Sequence, residues 1–267
     1  MNYIGIRGHR GAGKKSIAYL LGQTIDYLIE NEGKLLVGKT YDELYEQWVE
    51  DVMTNEDVIH DIGLDNVYFD SFADTLKLFV ELLTGIPNEY IYNDHYKDHV
   101  VINIRDFSHT YYEEIPDTIQ LLTRDELYKL MPKDSNPNTI MKNLYMTLRE
   151  FILYFGIDVM QRFLGLNVWV KSLRQSEERL SSLFNEDNMY KIFSDVKTPS
   201  EVTYILDRKG CIVHVIRPGN RKKSGGFDKL SKDGRVDYTI HVGGNLSEIK
   251  SQILEIAKQI ISRNGKG

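Results

Sequence analysis

A glycine-rich turn set between a short apolar segment and an amphipathic helix constrains this chain more than any other feature. Tyr3-Ile4-Gly5-Ile6-Arg7 is the apolar segment and Gly8-His9-Arg10-Gly11-Ala12-Gly13-Lys14-Lys15-Ser16 the turn. Ile17, Leu20, Leu21, Ile25, Leu28 and Ile29 then keep the i, i+3, i+4 spacing of one buried helix face, and Asn31-Glu32-Gly33 predicts the stop. Strand, loop, helix is the context in which Gly8-x4-Gly13-Lys14 can hold phosphate. Glycines let backbone N–H groups point inward, the helix N-terminus adds partial positive charge, and Lys14 can reach the β- and γ-phosphates of a nucleoside triphosphate. The competing reading is a strand-to-helix turn that is merely rich in glycine.

The rest of the chain reads as alternating strands and helices. A capping box at Thr40-x-x-Glu43 predicts a second helix, Val67 to Phe69 a short strand, and Ser71 to Leu83 a helix. Between Pro87 and Asn138 the pattern predicts one strand at Val100 to Ile104, a capping box at Thr123-x-x-Glu126 and a polar loop at 132–138. From Thr139 to Phe184 helical spacing dominates, with breaks predicted near Gly156-Ile157-Asp158 and Gly165-Leu166-Asn167. Strands follow at Tyr190 to Phe193, Cys211 to Ile216 and Tyr238 to Val242, interleaved with helices starting at Thr198-Pro199-Ser200-Glu201 and at Leu246. Such alternation predicts an α/β protein, a parallel sheet flanked by helices on both faces.

Charge and cysteine content limit the function classes. Thirty-three Lys+Arg against 39 Asp+Glu leave a net −6, so no global pull toward nucleic acid or anionic membrane is expected. The one cysteine, Cys211, forms no internal disulfide, and neither it nor His9, His60, His95, His99, His109, His214 and His241 has the spacing of a metal site. Arg7 and Arg10 interrupt the N-terminal apolar run, and no stretch approaches the roughly 18 apolar residues of a membrane span. The expectation is a cytoplasmic protein of undetermined oligomeric state, a homodimer included.

The loop departs from the commonest phosphate-binding pattern, because Lys15 follows Lys14 and the hydroxyl comes one place later, at Ser16. Gly-x-x-Gly-x-Gly-Lys-x-Ser resembles the loop of nucleoside monophosphate kinases. That resemblance implies a P-loop kinase three-layer fold, with Gly11, Ala12, Gly13, Lys14, Lys15 and Ser16 binding ATP and Ser16 serving Mg²⁺ through water.

Later blocks are similar to the bacteriophage deoxynucleoside monophosphate kinases. They are Phe72-Ala73-Asp74-Thr75-Leu76-Lys77; Arg149 seven residues before Gly156-Ile157-Asp158, with Trp169 farther on; and Ser194-Asp195-Val196-Lys197-Thr198-Pro199-Ser200-Glu201. The last comprises Val213 to Gly219 followed by Asp237 to Ile249. Ile157 replaces the family's threonine and Lys197 its arginine, which keeps charge but loses bidentate geometry. Residues 34–65 and 87–138 have no counterpart.

By this resemblance the chain is a single kinase domain in which 34–165 includes a helical acceptor-binding and inserted region and 218–236 a lid-like loop. Lys14, Arg149, Asp195 and Arg217 are the catalytic candidates. Lys77, Arg149, Gly156, Ile157, Trp169, Asp195 and Lys197 are the candidates for binding a nucleoside monophosphate, and Arg221, Lys222 and Lys223 for the lid. Each has a plainer reading: Lys77 as a solvated helix lysine, Arg149 as an ion-pair partner, Trp169 as core, Asp195 as the start of an Asx turn, the basic cluster as solvated surface. The implied activity is transfer of the ATP γ-phosphoryl group to a (deoxy)nucleoside monophosphate in the host cytoplasm. Rival readings are a dephospho-coenzyme A kinase, a nucleotide-binding protein without chemistry, and a nucleic-acid kinase.

Overall fold

The computed structural model describes residues 1–9, 11–30, 64–114, 121–123, 125–127, 144–180, 189–219 and 236–264. Outside them lie Arg10, the expected helix stop at 31–33, the helix expected from Thr40, His60, the polar loop 132–138 and the basic cluster Arg221, Lys222 and Lys223. The chain divides into two compact units, one of Met1–Phe72 with Glu178–Gly267 and one of Ala73–Glu177.

Strand β1 (Asn2–Gly8) leads through the glycine loop into helix α1 (Lys14–Glu30), and β2 (Val67–Asp70) follows. The second unit carries α2 (Asp74–Thr84), α3 (Asn88–Tyr92), α4 (Asp94–His99), β3 (Val100–Asn103), β4 (His109–Tyr111), β5 (Tyr145–Thr147) and α5 (Leu148–Leu153). Helix α5 runs on through a π-helical stretch, Tyr154–Gln161, into the short α6 (Arg162–Leu164), and α7 (Val168–Leu180) comes next. The chain then supplies β6 (Tyr190–Phe193), α8 (Pro199–Leu206), β7 (Cys211–Ile216), β8 (Tyr238–His241) and α9 (Leu246–Asn264).

The first unit is built on a five-stranded sheet in the order β2-β6-β1-β7-β8, every pair parallel. Central β1 sets Ile4 beside Ile192 of β6 and Cys211 of β7. On one face Ile4, Ile6, Ile192, Val213, Val215 and Ile240 pack with Ile17, Leu21 and Ile25 of α1 and Ile253, Ala257 and Ile260 of α9. Period-two alternation sends Tyr3, Phe193 and Ile212 to the other face, where Phe193 stacks on Phe72 at 4.7 Å and lies edge-on to Tyr204 of α8. Helices thus flank the sheet, as the alternating pattern predicts.

The second unit holds a three-stranded antiparallel sheet, β4-β3-β5, and its own core of Leu76, Val80, Ile91, Ile102, Met146, Leu148, Phe151 and Trp169. Here the sequence expectations need three corrections. His109–Tyr111 adds a second strand between Pro87 and Asn138, where one was expected, and pairs antiparallel with β3. Tyr145–Thr147 is a strand inside a stretch expected to be helical, and Thr147 also caps α5 by accepting the Glu150 N–H. Gly156 does not break the helix: it lies buried in the π-helical run, where a Cβ would stand 2.5 Å from a Leu76 methyl, so its bareness serves packing. The break at Gly165 is present, with φ of 95°. No single helix among the described residues is long and apolar enough to cross a membrane.

Candidate functional site

The glycine loop leaves the carboxyl end of β1 at the point where the sheet's connections diverge, since β1 leads away to the β2 side and its neighbour β7 to the β8 side. Crevices at such points are where open α/β sheets hold ligands. Gly8 is level with Val215 of β7, and a Cβ there would stand 2.5 Å from the Val215 carbonyl oxygen. Gly11 and Gly13 take φ of 76° and 84°, turning the chain into α1. The turn is tied internally by the Ala12 N–H donating to the His9 carbonyl at 3.1 Å, and Lys14 Nζ donates to that same oxygen at 2.9 Å. Ala12 is buried, Gly13 and Lys14 are half-buried, and Lys15 and Ser16 are exposed on the first turn of α1. Arg217, one residue beyond β7, donates from Nη1 to the Gly11 carbonyl at 3.1 Å, which brings a second predicted cation to the loop.

Asp195 stands just past β6 at the same edge of the sheet, where the Val196 N–H donates to the Ile6 carbonyl. Its Oδ2 accepts from Ser71 Oγ at 2.8 Å and lies 3.6 Å from Lys197 Nζ, while Oδ1 is buried with no hydrogen-bond partner among the described residues. Glu201, on the first turn of α8, closes a complete capping box with Thr198, and its Oε2 accepts the Lys197 and Thr198 N–H groups at 2.6 and 2.8 Å. Burial pushes the Glu201 carboxyl up to about 7, and the Asp195 charge adds to this against those two donors.

Two buried cations of this unit were not candidates in the sequence. Arg7, only 1% exposed, points to the same sheet face as Tyr3 and is level with His214; burial lowers its pKa. Lys191 of β6 pairs with Asp70 of β2 at 2.6 Å. Their signal is a long cation at an inward position of an otherwise apolar strand. Read along the chain, Arg7 only interrupts an apolar run.

The other predicted acceptor residues belong to the second unit. Lys77 Nζ is 2.9 Å from Asp74 Oδ1 and 3.9 Å from the centre of the Tyr92 ring, and the Tyr92 hydroxyl donates to that same carboxylate oxygen. Arg149 makes a two-pronged pair with Asp98, Nε to Oδ1 at 2.5 Å and Nη2 to Oδ2 at 3.0 Å, and Nη2 also reaches the Asp94 carbonyl at 3.1 Å. The Asp98 hydrogen bond raises the Arg149 pKa, helped by the Asp98 and Asp94 charges. Trp169 is 6% exposed in the core, its Nε1–H donating to the Gly156 carbonyl at 3.3 Å; Ile157 is exposed. Asp74, Tyr92, Asp94 and Asp98 went unremarked as partners, and Asp98 lies 51 residues from Arg149, a separation with no local signal.

Among the described residues no group of three or more His, Cys, Asp and Glu could hold a metal ion. No protein-family model matches the chain, and no curated protein matches it.

Proposed function

We propose that this chain is a P-loop kinase that transfers the γ-phosphoryl group of ATP to a (deoxy)nucleoside monophosphate, serving deoxynucleotide supply in the cytoplasm of a phage-infected host. The observation that carries the reading is the seat of the glycine loop: it leaves central β1 at the divergence of the connections, with Lys14 inside it and Arg217 fastened to Gly11. A triphosphate there meets the N–H groups of the first α1 turn, which have no intrahelical partner, and two cations.

In this reading Lys14 and Arg217 neutralise the charge shared between donor and transferring phosphoryl. Lys77 and Arg149 grip the acceptor phosphate, which requires it to displace their present carboxylate partners. Magnesium supplies charge neutralisation at the donor's terminal phosphates. The residues that would hold its water shell are Ser16 and Asp195, whose buried Oδ1 has no hydrogen-bond partner among the described residues. Transfer to the acceptor in place of simple hydrolysis of ATP requires that water be excluded from the reacting phosphoryl group.

The pairing of Lys77 and Arg149 with acids also favours a second reading, a nucleotide-binding protein without transfer chemistry. A coupled assay of ATP consumption with dAMP, dCMP, dGMP, dTMP and dephospho-coenzyme A, beside calorimetric ATP titration, separates these readings. The kinase reading expects turnover with at least one monophosphate and its loss, by a hundredfold or more on the order of transition-state cations, in Lys14→Ala. ATP binding with no acceptor turned over overturns it. Turnover with dephospho-coenzyme A alone moves the acceptor to a sugar hydroxyl.

A further inference from the structure

The segment 87–138, which has no counterpart in the resemblance, delivers a helix directly onto Arg149. Asp94 and Asp98 stand one turn apart on α4; Asp98 occupies both prongs of the guanidinium, and Asp94 adds its carbonyl at 3.1 Å and a carboxylate oxygen at 3.6 Å. Two parallel N–H donors on a planar fork match two oxygens of a phosphate as well as they match a carboxylate.

We propose that Asp98 is an internal competitor for the acceptor site: its carboxylate fills the Arg149 fork until a phosphate dianion displaces it, so that the site favours phosphorylated acceptors. This rests on the acceptor role of Arg149 proposed above. The Asp98 side chain is 49% exposed and that of Asp94 is 69% exposed, so water competes for the pair and its strength is that of a surface ion pair. A phosphate monoester dianion brings about two charges and three acceptor oxygens against one charge and two oxygens, and displaces the carboxylate. A nucleoside or sugar hydroxyl brings no charge and leaves the fork closed. Lys97, 3.0 Å from Asp94 Oδ1, shares that oxygen with Arg149 Nη2 at 3.6 Å, so the second acid is already partly neutralised beside the fork.

The test is calorimetric titration of the full chain with ATP and with dAMP, dCMP, dGMP and dTMP, together with steady-state kinetics. The variants are Asp98→Asn, Arg149→Ala and the double variant, with Glu89→Gln on α3 as a charge control away from the fork. Removing the competitor should tighten monophosphate binding about two- to fivefold, the range of an exposed ion pair. ATP affinity and kcat should hold, and the gain should vanish in the Arg149→Ala background. Unchanged or weaker monophosphate binding in Asp98→Asn overturns the competition and makes Asp98 a brace for Arg149. If ATP binds but no monophosphate binds either wild type or Asp98→Asn, the acceptor reading itself fails, and the competition with it.

Discussion

Arg217 Nη1 donates to the Gly11 carbonyl at 3.1 Å, joining the end of β7 to the tip of a loop 206 positions earlier in the chain. The bond is exposed, so it contributes little to stability, but it fixes a guanidinium beside the loop's backbone. Arg217→Ala should weaken ATP binding by about ten- to a hundredfold, the loss of one charge-assisted phosphate contact, and shift the thermal midpoint by only a few degrees. Titration calorimetry and a melting curve check both halves. Unchanged ATP affinity would reduce Arg217 to a loop fastener.

Two loop glycines should respond differently to the same methyl group. At Gly8 an added Cβ meets the Val215 carbonyl oxygen at 2.5 Å, backbone against backbone in the middle of a sheet, whereas at Gly13 nothing lies within 4 Å and only the φ of 84° resists. Gly13→Ala should cost about 1–2 kcal/mol in urea unfolding, the strain of a left-handed alanine. Gly8→Ala should cost more, about 3 kcal/mol or outright loss of folding, because strands β1 and β7 must part. Equal costs would contradict the register of those strands.

Glu201 sets a pH dependence of stability whose sign follows from its raised pKa. Between about 4.5 and 7 the unfolded chain has lost this proton while the folded chain keeps it, so stability falls as pH rises through that window and the full cost is present above 7. The rise from 4.5 to about 7 corresponds to about 3 kcal/mol. Glu201→Gln, measured against wild type at pH 5 and pH 8 by denaturant titration, should gain on wild type by about that amount between the two. Asp195→Asn should shrink the gain, since the Asp195 charge is one of its causes. A pH-independent difference between wild type and Glu201→Gln would show that the carboxyl titrates normally.

Trp169 offers a separation of packing from recognition. With its ring in the core and its N–H on the Gly156 carbonyl, Trp169→Ala should lower unfolding stability by about 3–5 kcal/mol. Trp169→Phe keeps a ring and should cost less while leaving monophosphate KM unchanged. A large KM increase in Trp169→Phe with normal stability would instead place the indole against the acceptor base.

What the sequence made legible was whatever is encoded by near neighbours. Cys211 to Ile216 and Tyr190 to Phe193 match their strands end to end, because apolar runs there stop at turn residues. The Thr198–Glu201 box appears with both of its hydrogen bonds. Tyr145–Thr147 escaped because its three residues continue the apolar spacing of the helix that Thr147 caps. Gly156 misled because a missing Cβ can mean a break or a close contact, and only the position of Leu76 decides between them. For the site the same division holds. The loop, Lys14 and its strand context are local and readable, and so is Asp74, three residues before Lys77 on the same helix. Asp98, which neutralises Arg149 from 51 positions away, is a matter of tertiary placement.

The strand order also dictates a sequence of events during synthesis. Central β1 is complete after Gly8, yet both of its sheet partners, β6 and β7, lie between Tyr190 and Ile216. At 5–20 residues per second, β1 emerges from the ribosome and waits roughly ten to forty seconds for a neighbour. Meanwhile residues 73–177, contiguous and with a core of their own, finish translation first. The nascent chain therefore carries β1 as an apolar strand without its sheet partners, exposed to chaperones and to other nascent copies, until β6 and β7 arrive.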